Sequence, residues 1–294
     1  LLMNKSTALS AAKTLLFMPD LFTYFLTGRK VAEYTIASTS SMLSHSGRTF
    51  AAELLAELGL PTDIFPELIQ PGTVVGGLTS DVQAEVGGGA GLQVIAPAEH
   101  DTASAVVAVP AEEEDYAYLS CGTWSLLGVE TDQPVLSPAA MEGSLTNEGG
   151  AGGKIRLLKN IMGLWLLQQS RRRWQLEGEN YSYAELTELA EQAPAFSSLI
   201  DPDAPEFLNP PSMPDAICQF CRETGQYVPQ SKGEISRTIL ESLALKYRWT
   251  MDRLREVTGM KLGVLHMVGG GIQNKLLCQF AANACGVKVV AGPV

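Results

Sequence analysis

Basic side chains are in short supply in this sequence: 21 Lys and Arg stand against 32 Asp and Glu, a net charge of -11, and the pI is near 4.8. A nucleic-acid partner needs a broad basic surface, so that class is excluded. The one basic run, Arg171-Arg172-Arg173, is read as complementing the C-terminal end of a helix. Long apolar runs are missing too. None approaches the roughly 20 residues of a membrane span, and Lys13 and Asp20 interrupt the start Leu1-Leu2-Met3-Asn4-Lys5 before it could act as a signal peptide, which favours the cytosol. Five cysteines, an odd number, do not make a secreted disulfide framework. Cys218 and Cys221 have C-x-x-C spacing without a second pair at zinc-finger distance, and His45, His100 and His266 are scattered. The cysteine pair is read as two neighbours on a helix, and no metal site built from protein ligands is expected.

What is present forms cores. With 294 residues, 46% of them hydrophobic and 18% charged, the chain can fill two domains rather than one. The acidic segment Pro110-Ala111-Glu112-Glu113-Glu114-Asp115 divides it into residues 1–113 and 114–294. In the first part the pattern predicts helices over Ala12 to Met18, from Pro19-Asp20 to Thr27-Gly28, over Thr49 to Leu58 before Gly59, and near Asp81 to Val86. A loop rich in Pro and Gly is expected from Pro61 to Gly77, and a strand from Leu92 to Ala96. In the second part it predicts a hairpin at Tyr116 to Val129 and a polar connection through Glu148 to Gly153. Helices follow at Leu157 to Trp174, Tyr183 to Gln192 and Lys232 to Val257, and a strand–glycine–helix–strand run ends at Val287 to Val290. No internal repeat or low-complexity tract is visible.

Three places in this pattern carry chemistry. The strand at Leu92 delivers Glu99-His100-Asp101-Thr102 to a helix of small residues, which sets one carboxylate where a hydroxyl could lose its proton. The hairpin turns at Cys121-Gly122-Thr123-Trp124-Ser125, a tight turn bearing hydroxyls and suited to phosphate oxygens. Gly269-Gly270-Gly271 follows a strand and lets backbone approach a ligand closely, although it matches neither the G-x-G-x-x-G fingerprint nor a P-loop. Taken alone, Asp101 reads first as a helix cap and Gly122-Thr123 as an ordinary hairpin turn. Base, turn and glycine step together suggest phosphoryl transfer.

The order His100-Asp101-Thr102, Ser120-Cys121-Gly122-Thr123-Trp124-Ser125, Thr146-Asn147-Glu148-Gly149-Gly150, Leu157 to Leu166 and Val268 to Asn274 resembles the FGGY carbohydrate kinases over essentially the whole chain. That resemblance implies an α/β, actin-like (ribonuclease H-like) two-domain sugar kinase fold, incomplete at both termini, because the family's N-terminal Asp-x-Gly-Thr hairpin has no counterpart here. It implies ATP and Mg²⁺ as cofactors and phosphorylation of the C1 hydroxyl of L-rhamnulose, with fuculose or xylulose as alternative ketoses and a catalytically inactive nucleotide-responsive protein as the rival class. Asp101 would be the general base. His100, Thr102 and Asn160 would join it at the sugar, while Gly122, Thr123, Gln168, Gly269, Gly270 and Gly271 would hold the nucleotide. Asn160 and Gln168 are expected on one helix, about 12 Å apart. No nucleic-acid or membrane partner is implied, and the oligomeric state is left open.

Overall fold

A computed structural model describes residues 7–44, 49–113 and 115–292. The ends Leu1 and Pro293-Val294, His45, and Glu114 at the expected domain boundary lie outside the described residues. The chain forms two compact units. The first comprises residues 1–107, 130–134 and 147–156, and the second residues 108–129, 135–146 and 157–294.

Unit 1 begins with α1 (Thr7–Ala11), α2 (Met18–Thr27), β1 (Val31–Glu33), α3 (Tyr34–Ser38) and α4 (Ala52–Glu57). It continues with β2 (Glu67–Ile69), β3 (Val74–Gly77), α5 (Ser80–Val86), β4 (Gln93–Ile95) and α6 (Asp101–Val107). β1 and β2 pair in parallel and β3 and β4 antiparallel, with Val31, Ile69, Val75 and Ala96 clustered in a small core. Gly28 closes α2 in the left-handed conformation, φ 72°, and Gly87 closes α5 in the same way. Two expectations fail here. Residues 12 to 17 are not helical, because the Leu15 N–H donates to the Ile64 carbonyl at 2.8 Å instead of to its own preceding turn. The stretch from Pro61 to Gly77 is not a plain loop, since it contains β2 and β3, strands of three and four residues that are too short to show a period.

The chain then runs through β5 (Ala117–Cys121), β6 (Trp124–Thr131), α7 (Pro138–Glu142), β7 (Thr146–Gly149), β8 (Ile155–Met162), α8 (Trp165–Leu176) and α9 (Tyr183–Gln192). It ends with α10 (Met213–Glu223), α11 (Lys232–Thr258), β9 (Val264–Val268), α12 (Lys275–Cys285) and β10 (Lys288–Ala291). A six-stranded sheet has the order β10-β9-β5-β6-β8-β7. β9 is parallel to both β10 and β5, and β5 is antiparallel to β6. Close approach dictates glycine at Gly128, where a Cβ would meet the Leu157 carbonyl at 2.5 Å and the Tyr118 hydroxyl at 2.7 Å.

The 27-residue α11 is the backbone of the helical layer. Ser231 and Glu234 form a capping box at its start, and Gly259 ends it at φ 73°. Ile235, Ile239, Leu243, Tyr247, Met251 and Leu254 recur at helical spacing and are all buried in the main core. α11 packs against α9 and α12, and the Tyr247 hydroxyl shares a 2.8 Å hydrogen bond with Ser125 Oγ, tying the helix to the hairpin.

Two further expectations are corrected in this part of the chain. The polar connection through Glu148 holds β7 and a short 3₁₀ turn at Ala151–Gly153. More consequentially, Leu157 to Trp174 is not one helix: it is the end of β8, a turn at Gly163, and α8. Every residue of β8 except Asn160 is buried, Arg156 and Lys159 included, so the strand shows no alternation of buried and exposed positions. Gly163 is forced by packing, as a Cβ there would sit 2.6 Å from Ser125 Oγ.

Candidate functional site

In unit 1, buried carboxylates set the loop that carries the candidate base. Asp20 accepts the Glu33 N–H at 2.9 Å, and Glu33 caps α3 by accepting from Thr35 and Ile36. Glu33 Oε2 also takes the Glu99 N–H at 3.0 Å, while Thr35 Oγ1 takes the His100 N–H at 3.1 Å. Hydrogen bonds to a charged acceptor contribute about 1.5–3 kcal/mol each, so the start of α3 fixes the backbone just before Asp101. Ser104 adds a bond from its hydroxyl to the Ala98 carbonyl at 2.6 Å. Asp101 itself opens α6. Its Oδ1 accepts from the Thr102 N–H at 2.6 Å, yet 96% of its side chain is exposed, which leaves the carboxylate free to meet a ligand.

Glu99 lies two residues before this candidate base. Burial first, and the Asp20 charge next, raise its pKa from 4.5 to about 8. Asp20 is raised as well, by burial, and Glu99 Oε2 is buried with no hydrogen-bond partner. The sign of the linkage follows: native Glu99 holds a proton that the unfolded chain releases above 4.5, so its contribution to stability is full below pH 4.5 and is lost as pH rises through 8. Glu99→Gln should therefore flatten the loss of unit 1 stability between those values. Urea midpoints measured at both ends of the window check this, and an unchanged pH dependence in the variant would count against a proton held on native Glu99.

The second group of residues lies wholly in unit 2. The carbonyls of Gly122 and Thr123 accept the N–H groups of Leu164 and Trp165, both at 3.0 Å, so the hairpin turn docks on the start of α8. The Thr123 hydroxyl donates to Gln168 Oε1 at 3.1 Å. Together with Gly270 and Gly271 these residues line a cavity of about 760 Å³, a volume within the range of small-molecule sites.

The three glycines are not equivalent. Gly269 holds φ 86° and lies against the Cys121 carbonyl, where a Cβ would come to 3.0 Å. At Gly271 a Cβ would be 2.3 Å from Cys121 Sγ. Gly270 alone has open space where a Cβ would stand, so it presents bare backbone to the cavity. A hollow floored by a hydroxyl turn and bare backbone fits a nucleotide's phosphates.

Asn160 is not part of this group. It lies on β8 and Gln168 on α8, so they share no helix, and Asn160 does not line the 760 Å³ cavity. His100, Asp101 and Thr102 are consecutive in unit 1 as expected. Sequence reasoning missed Glu33, Thr35, Glu148 and Arg156 around them. Glu is not among the usual helix caps, so Glu33 at the start of α3 gives little sequence signal, and the contact of Arg156 with His100, fifty-six residues away, leaves no local trace.

Residues 1–108 match the model of the FGGY family of carbohydrate kinases, N-terminal domain, and residues 117–294 match that family's C-terminal domain. The chain belongs to the FGGY family of carbohydrate kinases. It is 50% identical over 290 residues to the rhamnulokinase of Bacteroides thetaiotaomicron, covering 99% of this chain and 59% of that protein. It is 48% identical over 280 residues to the rhamnulokinase of Pectobacterium carotovorum, covering 95% and 54%. The chain thus spans a little over half the length of these curated relatives. Among solved structures, gluconate kinase from Lactobacillus acidophilus superposes with a TM-score of 0.74 at 20% identity, over 98% of this chain and 57% of the other, which supports the sugar kinase fold.

Proposed function

We propose that this chain carries the catalytic base and one nucleotide-binding face of an ATP-dependent kinase that phosphorylates the C1 hydroxyl of L-rhamnulose. One observation carries the reading: a carboxylate, Asp101, stands fully exposed at a helix start while its backbone is clamped by Glu33 and Thr35. An unclamped surface acid would serve only as a cap. The name shared by the relatives at 50% and 48% identity supports rhamnulose as the ketose.

In this mechanism Asp101 takes the C1 hydroxyl proton as the oxygen attacks the γ-phosphorus of ATP and the bond to the β–γ bridging oxygen breaks. The transition state is largely dissociative, so position and charge matter more than covalent help. His100 and Thr102 contact the ketose on either side of the base, and Asn160 is assigned to the sugar from β8. In unit 2, Thr123 and the backbone of Gly122 and Gly270 hold phosphate oxygens, with Gln168 orienting Thr123 and Gly269 and Gly271 keeping the step against Cys121. Mg²⁺, when bound, neutralises the phosphate charge. Among the described residues no group of three or more His, Cys, Asp or Glu side chains gathers to hold a metal. On this reading residues 1–113 are the sugar-side domain and 114–294 the nucleotide-side domain. No helix among the described residues is long and apolar enough to cross a membrane, and the reading places the enzyme in the cytoplasm.

The test is ADP release by the full-length gene product with a panel of L-rhamnulose, L-fuculose and D-xylulose. Rhamnulose should give the highest kcat/KM. A higher value for either of the others would reassign the substrate, and no sugar-dependent ADP release would leave a nucleotide-responsive protein as the reading.

A further inference from the structure

Arg156 is the largest of the wholly buried side chains, and the phosphoryl-transfer reading gives it no task. It stands at the start of β8, within unit 1. Its Nε donates to the Gly149 carbonyl at 2.9 Å, and its Nη2 faces both His100 Nδ1 at 2.8 Å and Glu148 Oε2 at 3.2 Å. A guanidinium has only donors and keeps its charge. The nitrogen of His100 that meets it at 2.8 Å therefore offers a lone pair, which leaves the ring proton on Nε2.

Glu148 Oε2 also lies 3.4 Å from His100 Nδ1, an arrangement that a proton on Nδ1 would satisfy. The two arrangements exclude each other, because a protonated Nδ1 would point at the Arg156 N–H at 2.8 Å, donor against donor. The shorter contact decides for the lone pair. Burial, and then the Arg156 charge, hold the imidazole below its ordinary value, against the opposing charges of Glu148, Asp101 and Glu33. On the other side of the ring, Nε2 is 3.7 Å from Asp101 Oδ1, beyond hydrogen-bond reach. Its N–H is left for a ligand oxygen next to the base.

We propose that Arg156 is a positioning residue that fixes His100 as a neutral imidazole protonated on Nε2, so that His100 can only donate to the sugar and Asp101 alone can accept its proton. The inference rests on the reading of Asp101 as the base and deepens it. It divides two neighbouring side chains into one donor and one acceptor, and it requires of the substrate an oxygen lone pair beside the hydroxyl that reacts. Sugars lacking that oxygen should bind poorly even when the reactive hydroxyl is present.

The experiment is ¹⁵N NMR of the histidine rings in the full-length protein, with resonances assigned by single His replacements. The expected spectrum shows His100 with Nδ1 bare and Nε2 protonated at neutral pH and above. Glu148→Gln should leave that pattern in place, because Arg156 still supplies the donor. A proton on Nδ1, or a doubly protonated ring at neutral pH, would overturn the proposal, and so would a ring that changes state in Glu148→Gln. Arg156→Met should mix the two tautomers and raise KM for the ketose by about 10-fold, the scale of one charged hydrogen bond, with KM for ATP unchanged and partial rescue in Arg156→Lys. Equal rises in both KM values would point to a merely structural role. If Arg156→Met does not fold, the wild-type and Glu148→Gln spectra still decide. Those spectra need no sugar: the expected tautomer in a protein that leaves rhamnulose untouched would remove the functional reading and keep the Arg156 assignment, and phosphorylation with the proton on Nδ1 would do the reverse.

Discussion

Replacing Asp101 with Asn should lower kcat for the ketose by about 10²–10⁴, the usual cost of losing a general base, while the protein unfolds within about 0.5 kcal/mol of wild type. The two effects separate because of where the carboxylate stands. Its side chain is 96% exposed, so no packing is lost. The local role, accepting the Thr102 N–H at 2.6 Å, passes to the amide oxygen of Asn, which caps helices about as well as Asp. Turnover measured at saturating sugar and ATP, beside a denaturant melt, checks both halves. Near-native turnover would reduce Asp101 to a cap and remove the proposed mechanism.

The second large effect is on the glycine step, where two adjacent Ala substitutions should act in opposite ways. Gly271→Ala places a Cβ 2.3 Å from Cys121 Sγ and 2.7 Å from its carbonyl oxygen, with strand backbone on one side that cannot give way. Overpacking of that kind costs about 1–3 kcal/mol, and the 3₁₀ turn at Gly270–Gln273 would be pushed off the end of β5. Gly270→Ala meets nothing within 4 Å and has no left-handed φ to maintain, so the fold should hold. Its methyl would occupy space in the 760 Å³ cavity and raise KM for ATP. Thermal melts and ATP titrations of the two variants separate them, and equal melting with equal ATP binding would mean that the step touches no nucleotide.

The legible parts of this chain were those written in local chemistry. Helices α5, α9 and α11 start on Thr79, Ser182 and Ser231, and α5 and α11 end on Gly87 and Gly259, so side-chain oxygens and left-handed glycines mark their limits within a few residues. The hairpin of β5 and β6 was equally readable, because an apolar run returns across Gly122-Thr123. Leu157 to Trp174 failed for a physical reason. A strand buried on both faces carries no alternation, and with a helix following directly the combined run imitates a single long helix unless Gly163 is taken as the break. That error put Asn160 and Gln168 on one surface, where the structure puts them on different elements. At the candidate site, the acid at a helix start could be read from its neighbours. The groups that control it, Glu33 sixty-six residues before Glu99 and Arg156 fifty-six after His100, act across distances that no local pattern encodes.

Cys121, which sets the glycine step by its bulk, also has a bearing on sulfur chemistry. Burial pushes its thiol up to about 12, so the sulfur stays protonated at neutral pH. The remaining cysteines, Cys218, Cys221, Cys278 and Cys285, are each shifted upward by burial as well. Alkylating reagents and peroxide attack the thiolate form, so burial lowers the reactivity of each of these sulfurs. The fold uses cysteine here as a compact, polarizable filler against backbone, so the glycine step rests on a sulfur held in its unreactive thiol form.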